Sequence, residues 1–157
     1  MAFYSPTRGL LDFQGVFEEI VRFLEEEPEA EYNLIVGSDS QLRSHEVVYV
    51  TAVVVHRRGK GGRYFYEKRV RRRTESLRQR ILYEASLSLQ LAGRLAEELS
   101  ENGYARLHVE IHLDIGAHGE TKELIREIVG MVTGSGFGAR IKPDSFGASS
   151  VADKYTK

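Results

Sequence analysis

The stretch Asn33-Leu34-Ile35-Val36-Gly37-Ser38-Asp39-Ser40-Gln41 organises the chain. Its apolar run reads as a buried strand that ends on an aspartate between small polar residues. α/β proteins bind ligands at the carboxyl ends of their strands, so a carboxylate there is a candidate site residue. Asp also begins turns after strands, and Asp39 taken alone admits that reading too. Other carboxylates have to decide between the two.

Upstream, residues 1–11 hold Pro6 and Gly9, show no clear period and read as an extended arm. Asp12 can cap a helix over residues 13–27, with Val16, Phe17, Ile20, Val21, Phe23 and Leu24 as its apolar face and Pro28 as its stop. Downstream, residues 47–55 are rich in β-branched residues and form a second strand. Gly59-Lys60-Gly61-Gly62 is a hairpin turn into a third strand over 63–70. Both connections are short, so these three strands make an antiparallel meander. A long helix is expected over 74–101, with Thr74 and Glu75 suited to its start and Asn102-Gly103 to its stop. Residues 105–114 alternate, with Leu107, Val109, Ile111 and Leu113 on one face and His108, Glu110, His112 and Asp114 on the other. A helix over 120–132, a short strand over 137–141 and a short helix over 145–155 complete the chain. The order is β-β-β-α-β-α-β-α behind one extra helix. It describes a single α/β domain with a mixed sheet, in which residues 1–31 are the arm and acidic helix and 32–157 the core.

A chain of 157 residues can bury a real core. It has no Cys, which excludes disulfides, thiolate nucleophiles and Cys-ligated zinc. Neither a membrane span nor a signal peptide is visible, so cytoplasmic is the default compartment. The net charge of −1 hides a strong segregation of sign. Residues 1–31 carry eight acids against Arg8 and Arg22. Residues 57–80 carry eleven bases, half of the chain's 22 Lys and Arg, against Glu67 and Glu75. Such segregation points to a polyanionic partner.

The long helix bears on Asp39. Leu77, Ile81, Ser88, Leu91, Leu95 and Leu99 fall within about 40° of one line, and Glu84 falls inside that apolar stripe. A carboxylate facing a core needs a cation, a proton or a metal, because an unpaired buried charge costs several kcal/mol. An edge position, or an ion pair with Arg80 one turn earlier, is the plainer solution. Leu113-Asp114-Ile115-Gly116 repeats the strand-then-aspartate pattern. If the two strands are parallel neighbours, Asp39 and Asp114 sit side by side, and a divalent cation between them relieves their repulsion. Asp153 shares a helix face with Ser149, Ser150 and Phe146; Asp144 is its rival. Carboxylates of this kind suit Mg²⁺ or Mn²⁺, and two such ions about 4 Å apart hydrolyse phosphodiesters.

The element order and the placement of Asp39, Glu84, Asp114 and Asp153 resemble the ribonuclease H-like superfamily. More closely, Gly37-Ser38-Asp39-Ser40-Gln41, His112-Leu113-Asp114-Ile115-Gly116, Ile141-Lys142-Pro143-Asp144-Ser145 and Ala152-Asp153-Lys154-Tyr155-Thr156-Lys157 resemble the small bacterial YkuK-like family. The resemblance covers nearly the whole chain. It implies a five-stranded mixed sheet with helices on both faces. It also implies a divalent-metal-dependent nuclease acting on RNA, DNA or a hybrid, with Asp39, Glu84, Asp114 and Asp153 as the metal-binding and catalytic acids. The alternative is a nucleic-acid-binding or assembly module on the same fold. His118, one short loop after Asp114, is a candidate for proton transfer, and His112 a candidate hydrogen-bond partner of Asp114. Arg57, Arg58, Lys60, Arg63, Arg71, Arg72 and Arg73 are the candidate substrate-binding cations, with Lys142 and Lys154 as further phosphate contacts. Tyr64, Phe65 and Tyr66 interleave with them and are candidates to stack on bases. The plainer reading of that block is a charge-guarded edge strand with its aromatics in the core.

Overall fold

The computed structural model describes residues 2–73, 76–113 and 122–141. Ten elements follow in order: β1 (Phe3–Ser5), β2 (Gly9–Leu11), α1 (Phe13–Glu26), β3 (Tyr32–Leu42), β4 (Glu46–Arg57), β5 (Gly62–Arg72), α2 (Leu77–Glu101), β6 (Val109–Leu113), α3 (Lys122–Gly134) and β7 (Gly138–Ile141). They build one mixed sheet in the order β2-β1-β5-β4-β3-β6-β7. The five expected strands are its core, and the meander β3-β4-β5 is antiparallel throughout. β6 and β7 add in parallel on the other side of β3.

The arm is not irregular. Residues 3–11 fold into a small hairpin that extends the sheet from five strands to seven, joining β5 through the Tyr4–Tyr66 pair. The Ser5 hydroxyl accepts from the backbone N–H of Thr7 and Arg8 at 3.3 and 3.2 Å, which sets the turn. Strands of three residues are too short for period-two alternation to register in a sequence.

α1 begins where Asp12 accepts a hydrogen bond from Gly15 N–H at 2.8 Å. α2 begins later than residue 74, with a capping box: Ser76 Oγ accepts from Gln79 N–H, and Gln79 Oε1 accepts from Ser76 N–H. It stops at Asn102, and Gly103 takes a left-handed φ of +87° that favours glycine. β6 is shorter than expected, because residues 105–107 turn before it, with Leu107 N–H bonded to Tyr104 O.

The described helices α1, α2 and α3 all pack on one face of the sheet, so the expected covering of both faces is not found among the described residues. Their apolar stripes meet Leu34 and Val36 of β3, Val53 and Val55 of β4, Phe65 of β5, and Val109, Ile111 and Leu113 of β6 in a single core. The second face carries Ile35, Val48, Val50 and Ala52. The helix expected over 145–155 lies outside the described residues. No described helix is long and apolar enough to cross a membrane.

Candidate active site

β3 is the strand from which the chain builds outward in both directions. Its antiparallel neighbour β4 leads to β5, and its parallel neighbour β6 is reached only after the α2 crossover. In open α/β sheets the crevice for ligands lies at such a switch point, beyond the carboxyl ends of the parallel strands. The β3–β6 register pairs Leu34 with Val109 and Gly37 with His112. Asp39 lies two residues beyond Gly37, half-buried and still paired with Val50 on the β4 side. Asp39 is therefore inside a strand rather than in a turn. β6 is described to Leu113. Asp114, His118, Lys142, Asp144, Asp153 and Lys154 lie outside the described residues.

The serines beside Asp39 have a role that the sequence reading missed. Side chains alternate along a strand, so Ser38 and Ser40 face α2 while Asp39 leaves on the second face with Ile35. Ser38 Oγ lies 2.8 Å from Ser88 Oγ and 3.0 Å from Thr51 Oγ1, all three buried. This closed hydroxyl chain satisfies its own polar atoms and lets the helix approach the strand closely. One turn nearer the start of α2, Ser40 donates to Glu84 Oε2 at 3.0 Å and accepts from Arg80 Nη2 at 3.1 Å. Ser40 thus links the carboxylate inside the apolar stripe to the guanidinium one turn before it. Among the described residues the neighbouring Arg80 Nε, which is buried, has no hydrogen-bond partner, so within them that guanidinium is only partly matched. Ser88 inside the apolar stripe was the one sequence signal for this polar seam.

Glu84 and Asp39 therefore approach the end of β3 from opposite faces of the sheet. Among the described residues, no three His, Asp or Glu side chains cluster as metal ligands. His112 is buried on the Asp39 side and lies 3.3 Å from Glu110 Oε2, which Arg140 Nε also approaches at 3.5 Å.

The basic block divides between the two ends of the sheet. The β4–β5 hairpin tip stands at the Tyr32 end, about 23 Å from Asp39 at 3.3 Å per strand residue. There the expected substrate cations meet the chain's own acids. Arg57 is buried, not a surface cation. It donates to Tyr32 Oη, Phe23 O and Glu26 Oε2 at 3.1, 2.8 and 3.1 Å, and its guanidinium lies 3.9 Å over the Phe23 ring. The Tyr32 hydroxyl, with Glu26 adding to it, pushes the Arg57 guanidinium further up. Arg58 pairs with Glu31 at 2.6 Å, Lys60 with Glu27 at 3.6 Å, and Arg63 stacks 4.7 Å over Phe23. Sign segregation along the sequence becomes sign pairing in the fold: the acids at and just after the end of α1 are the partners of the tip. Arg57 is thus used inside the fold, while Arg58, Lys60 and Arg63 stay exposed at this far end of the sheet.

The other half of the block does reach the Asp39 end. Val47, which pairs with Leu42, also pairs with Arg71, so Arg71, Arg72 and Arg73 stand beside the β3–β4 turn with Arg43. All four are exposed. Arg71 lies 4.3 Å over the Tyr83 ring, and Arg73 donates to Arg43 O at 3.1 Å. Of the interleaved aromatics, Phe65 is in the core, while Tyr64 and Tyr66 face the other way and are half-buried.

Glu67 of β5 is buried among the core elements, next to Arg69 Nε at 3.2 Å. Burial pushes its carboxyl up, against the opposing pull of Arg69. With a raised pKa, the folded state binds more protons than the unfolded state above the ordinary Glu range of about 4.3, so stability falls as pH rises through the folded value. Glu67→Gln removes that dependence. Chemical denaturation across pH is expected to show the wild type losing stability relative to the variant from about pH 4.3 upward. A difference that is flat with pH would contradict the raised carboxyl.

The ribonuclease H-like family model matches residues 15–157. The chain is also similar to a protein named "Uncharacterized protein YkuK" from Bacillus subtilis (strain 168), 35% identical over 167 aligned positions that cover 99% of this chain and 96% of that one. No solved structure matches it. The strand order about β3, the crossover through α2 and these two similarities agree: the chain belongs to the YkuK family of ribonuclease H-like proteins.

Proposed function

We propose that the chain is a divalent-metal-dependent phosphodiesterase that cleaves RNA, DNA or a hybrid at the carboxyl end of β3. The observation that carries this reading is a coincidence of position. Asp39 lies at the switch point, Glu84 is delivered to the same end by α2 through Ser40, and four exposed arginines rim that end. The donors suit a hard cation, being carboxylate oxygens in a chain without Cys. Asp39 and Glu84 would hold it, with Asp114 and Asp153 joining by their sequence positions and His118 serving proton transfer. When bound, Mg²⁺ or Mn²⁺ supplies Lewis acidity and an acidified water. The chain's own part is positional. Ser40 fixes the rotamer of Glu84, and Arg43, Arg71, Arg72 and Arg73 hold substrate phosphates against the end of the sheet.

A second reading is supported by the engagement of Glu84 with Ser40, which itself bonds Arg80. In that reading the carboxylate is structural and the chain only binds nucleic acid. Incubation of the protein with single-stranded and duplex RNA, DNA and a hybrid separates the two. Cleavage that requires Mn²⁺ or Mg²⁺ and stops with EDTA is expected. Binding without cleavage of any of these substrates, unchanged by EDTA, would select the second reading.

A further inference from the structure

We propose that the edge of the second sheet face, at β1 and β5, is a stacking platform for unpaired nucleic-acid bases, with Tyr4 as its outer surface. Tyr4 is 47% exposed, and its ring stacks on Tyr66 with centroids 5.6 Å apart and planes inclined by 25°. The pair is set by backbone register, Tyr4 opposite Tyr66 across the β1–β5 contact. Beside it lies a surface hollow of about 520 Å³, bounded by Ala2, Tyr4, Glu67, Lys68 and Arg69. Tyr66 is in the row of Ala52 and Gly37, and Lys68 in the row of Val50 and Asp39. Both rows are on the face that Asp39 shares. Tyr4 is therefore about 14 Å from β3 across three inter-strand steps, on the candidate site's own side of the sheet.

The occupant follows from the chemistry. Every base has a π-face, and aromatic side chains on a sheet bind unpaired bases by stacking, with cations beside them for the backbone. Lys68 is exposed and makes no ion pair with a described residue, so its charge is available to a phosphate. Arg69 is partly neutralised by Glu67 and contributes less. A duplex keeps its bases stacked on one another and offers no face to Tyr4, so the platform selects single strands. Leu10, opposite Tyr4 in the β1–β2 pair and 61% exposed, enlarges the apolar edge and raises the rival occupant, a second protein chain.

The inference rests on the nucleic-acid partner proposed above but not on catalysis, so its test is run in EDTA. Oligo(dT) and a DNA duplex of equal length are titrated into the wild type, Tyr4→Ala, Tyr4→Phe and Leu10→Ala, with anisotropy as the readout. Tyr4→Ala is expected to weaken oligo(dT) binding about tenfold and to leave duplex binding unchanged, while Tyr4→Phe and Leu10→Ala bind as wild type. The chain has no Trp, so Tyr4→Trp puts a single indole on the platform, and its emission is expected to be quenched by oligo(dT). Wild-type affinity in Tyr4→Ala, an unquenched indole, or no oligo(dT) binding by the wild type would each overturn the platform. So would a dimer that both Tyr4→Ala and Leu10→Ala dissociate. Loss of binding in Tyr4→Ala from a wild type that cuts nothing would retain the platform and remove the nuclease reading. Cleavage with Tyr4→Ala binding as wild type would do the reverse.

Discussion

Asp39→Asn is expected to slow phosphodiester cleavage about 10³-fold, the order of loss when one preorganised charge-stabilising group is removed. Asn matches Asp in shape and keeps the backbone pairing with Val50, so β3 is undisturbed. The hydroxyl seam through Ser38, Thr51 and Ser88 is on the other face and is untouched. What changes is one negative charge at the carboxyl end of β3. Single-turnover cleavage with Mn²⁺, alongside circular dichroism of the same sample, separates loss of chemistry from loss of fold. A variant that cuts at the wild-type rate would remove Asp39 from the reaction.

The second large effect concerns the divided basic block. A triple variant, Arg43→Ala with Arg72→Ala and Arg73→Ala, is expected to weaken nucleic-acid binding about 10²-fold at low salt and to flatten its salt dependence by about 2 to 3 units of slope. Each phosphate contact contributes close to one released counterion. Arg58→Ala with Lys60→Ala is expected to leave both quantities unchanged, although it removes two cations of the same block. The reason is geometric. Arg58 and Lys60 stand about 23 Å from Asp39, against Glu31 and Glu27. Arg43, Arg72 and Arg73 stand exposed at the Asp39 end. Filter binding across a salt series decides it. Equal losses from the two variants would mean that charge acts through the whole surface rather than through the rim.

Much of the core was legible because its signals are periodic. An apolar run marked β3, a β-branched run marked β4, a glycine turn into an aromatic stretch marked β5, and a stripe about six turns long marked α2, with Glu84 visible as the wrong polarity inside it. The pairing of two strand-end aspartates depends on β3 and β6 being parallel neighbours, and the sheet makes those strands so. What a sequence cannot carry is pairing between distant segments. The hairpin of β1 and β2 is too short for a period, and its place is fixed only by β5. The basic run was visible as a run, but a strand that turns at Gly61 and Gly62 sends its two halves to opposite ends of the sheet. A Cβ at Gly62 would meet Val55 O at 2.7 Å, which shows how tightly that turn closes. The acids Glu26, Glu27 and Glu31, at and just after the end of α1, then match the cations at the tip, and a charge pattern that suggested an external partner is half resolved within the molecule.

The site was legible in position more than in geometry. Asp39 follows the buried apolar run of β3, as its sequence context suggested, but the strand continues past it to Leu42. In the sequence its neighbours are only small polar residues on either side, whereas in the fold Ser38 and Ser40 are core-facing hydroxyls that seat α2. Alternation along the strand, applied through Ser38, Asp39 and Ser40, sets Glu84 and Asp39 on opposite faces. A cation bound by both would sit beside β3 past its last pair with β6, Gly37 with His112, rather than above either face.

The most direct measurement is a crystal structure of the protein soaked in Mn²⁺, read by anomalous scattering. The expected result is manganese in direct contact with Asp39 at the carboxyl end of β3, and its loss in Asp39→Asn. Manganese absent from that end at saturating concentration, or bound there equally well without the Asp39 carboxylate, would contradict it.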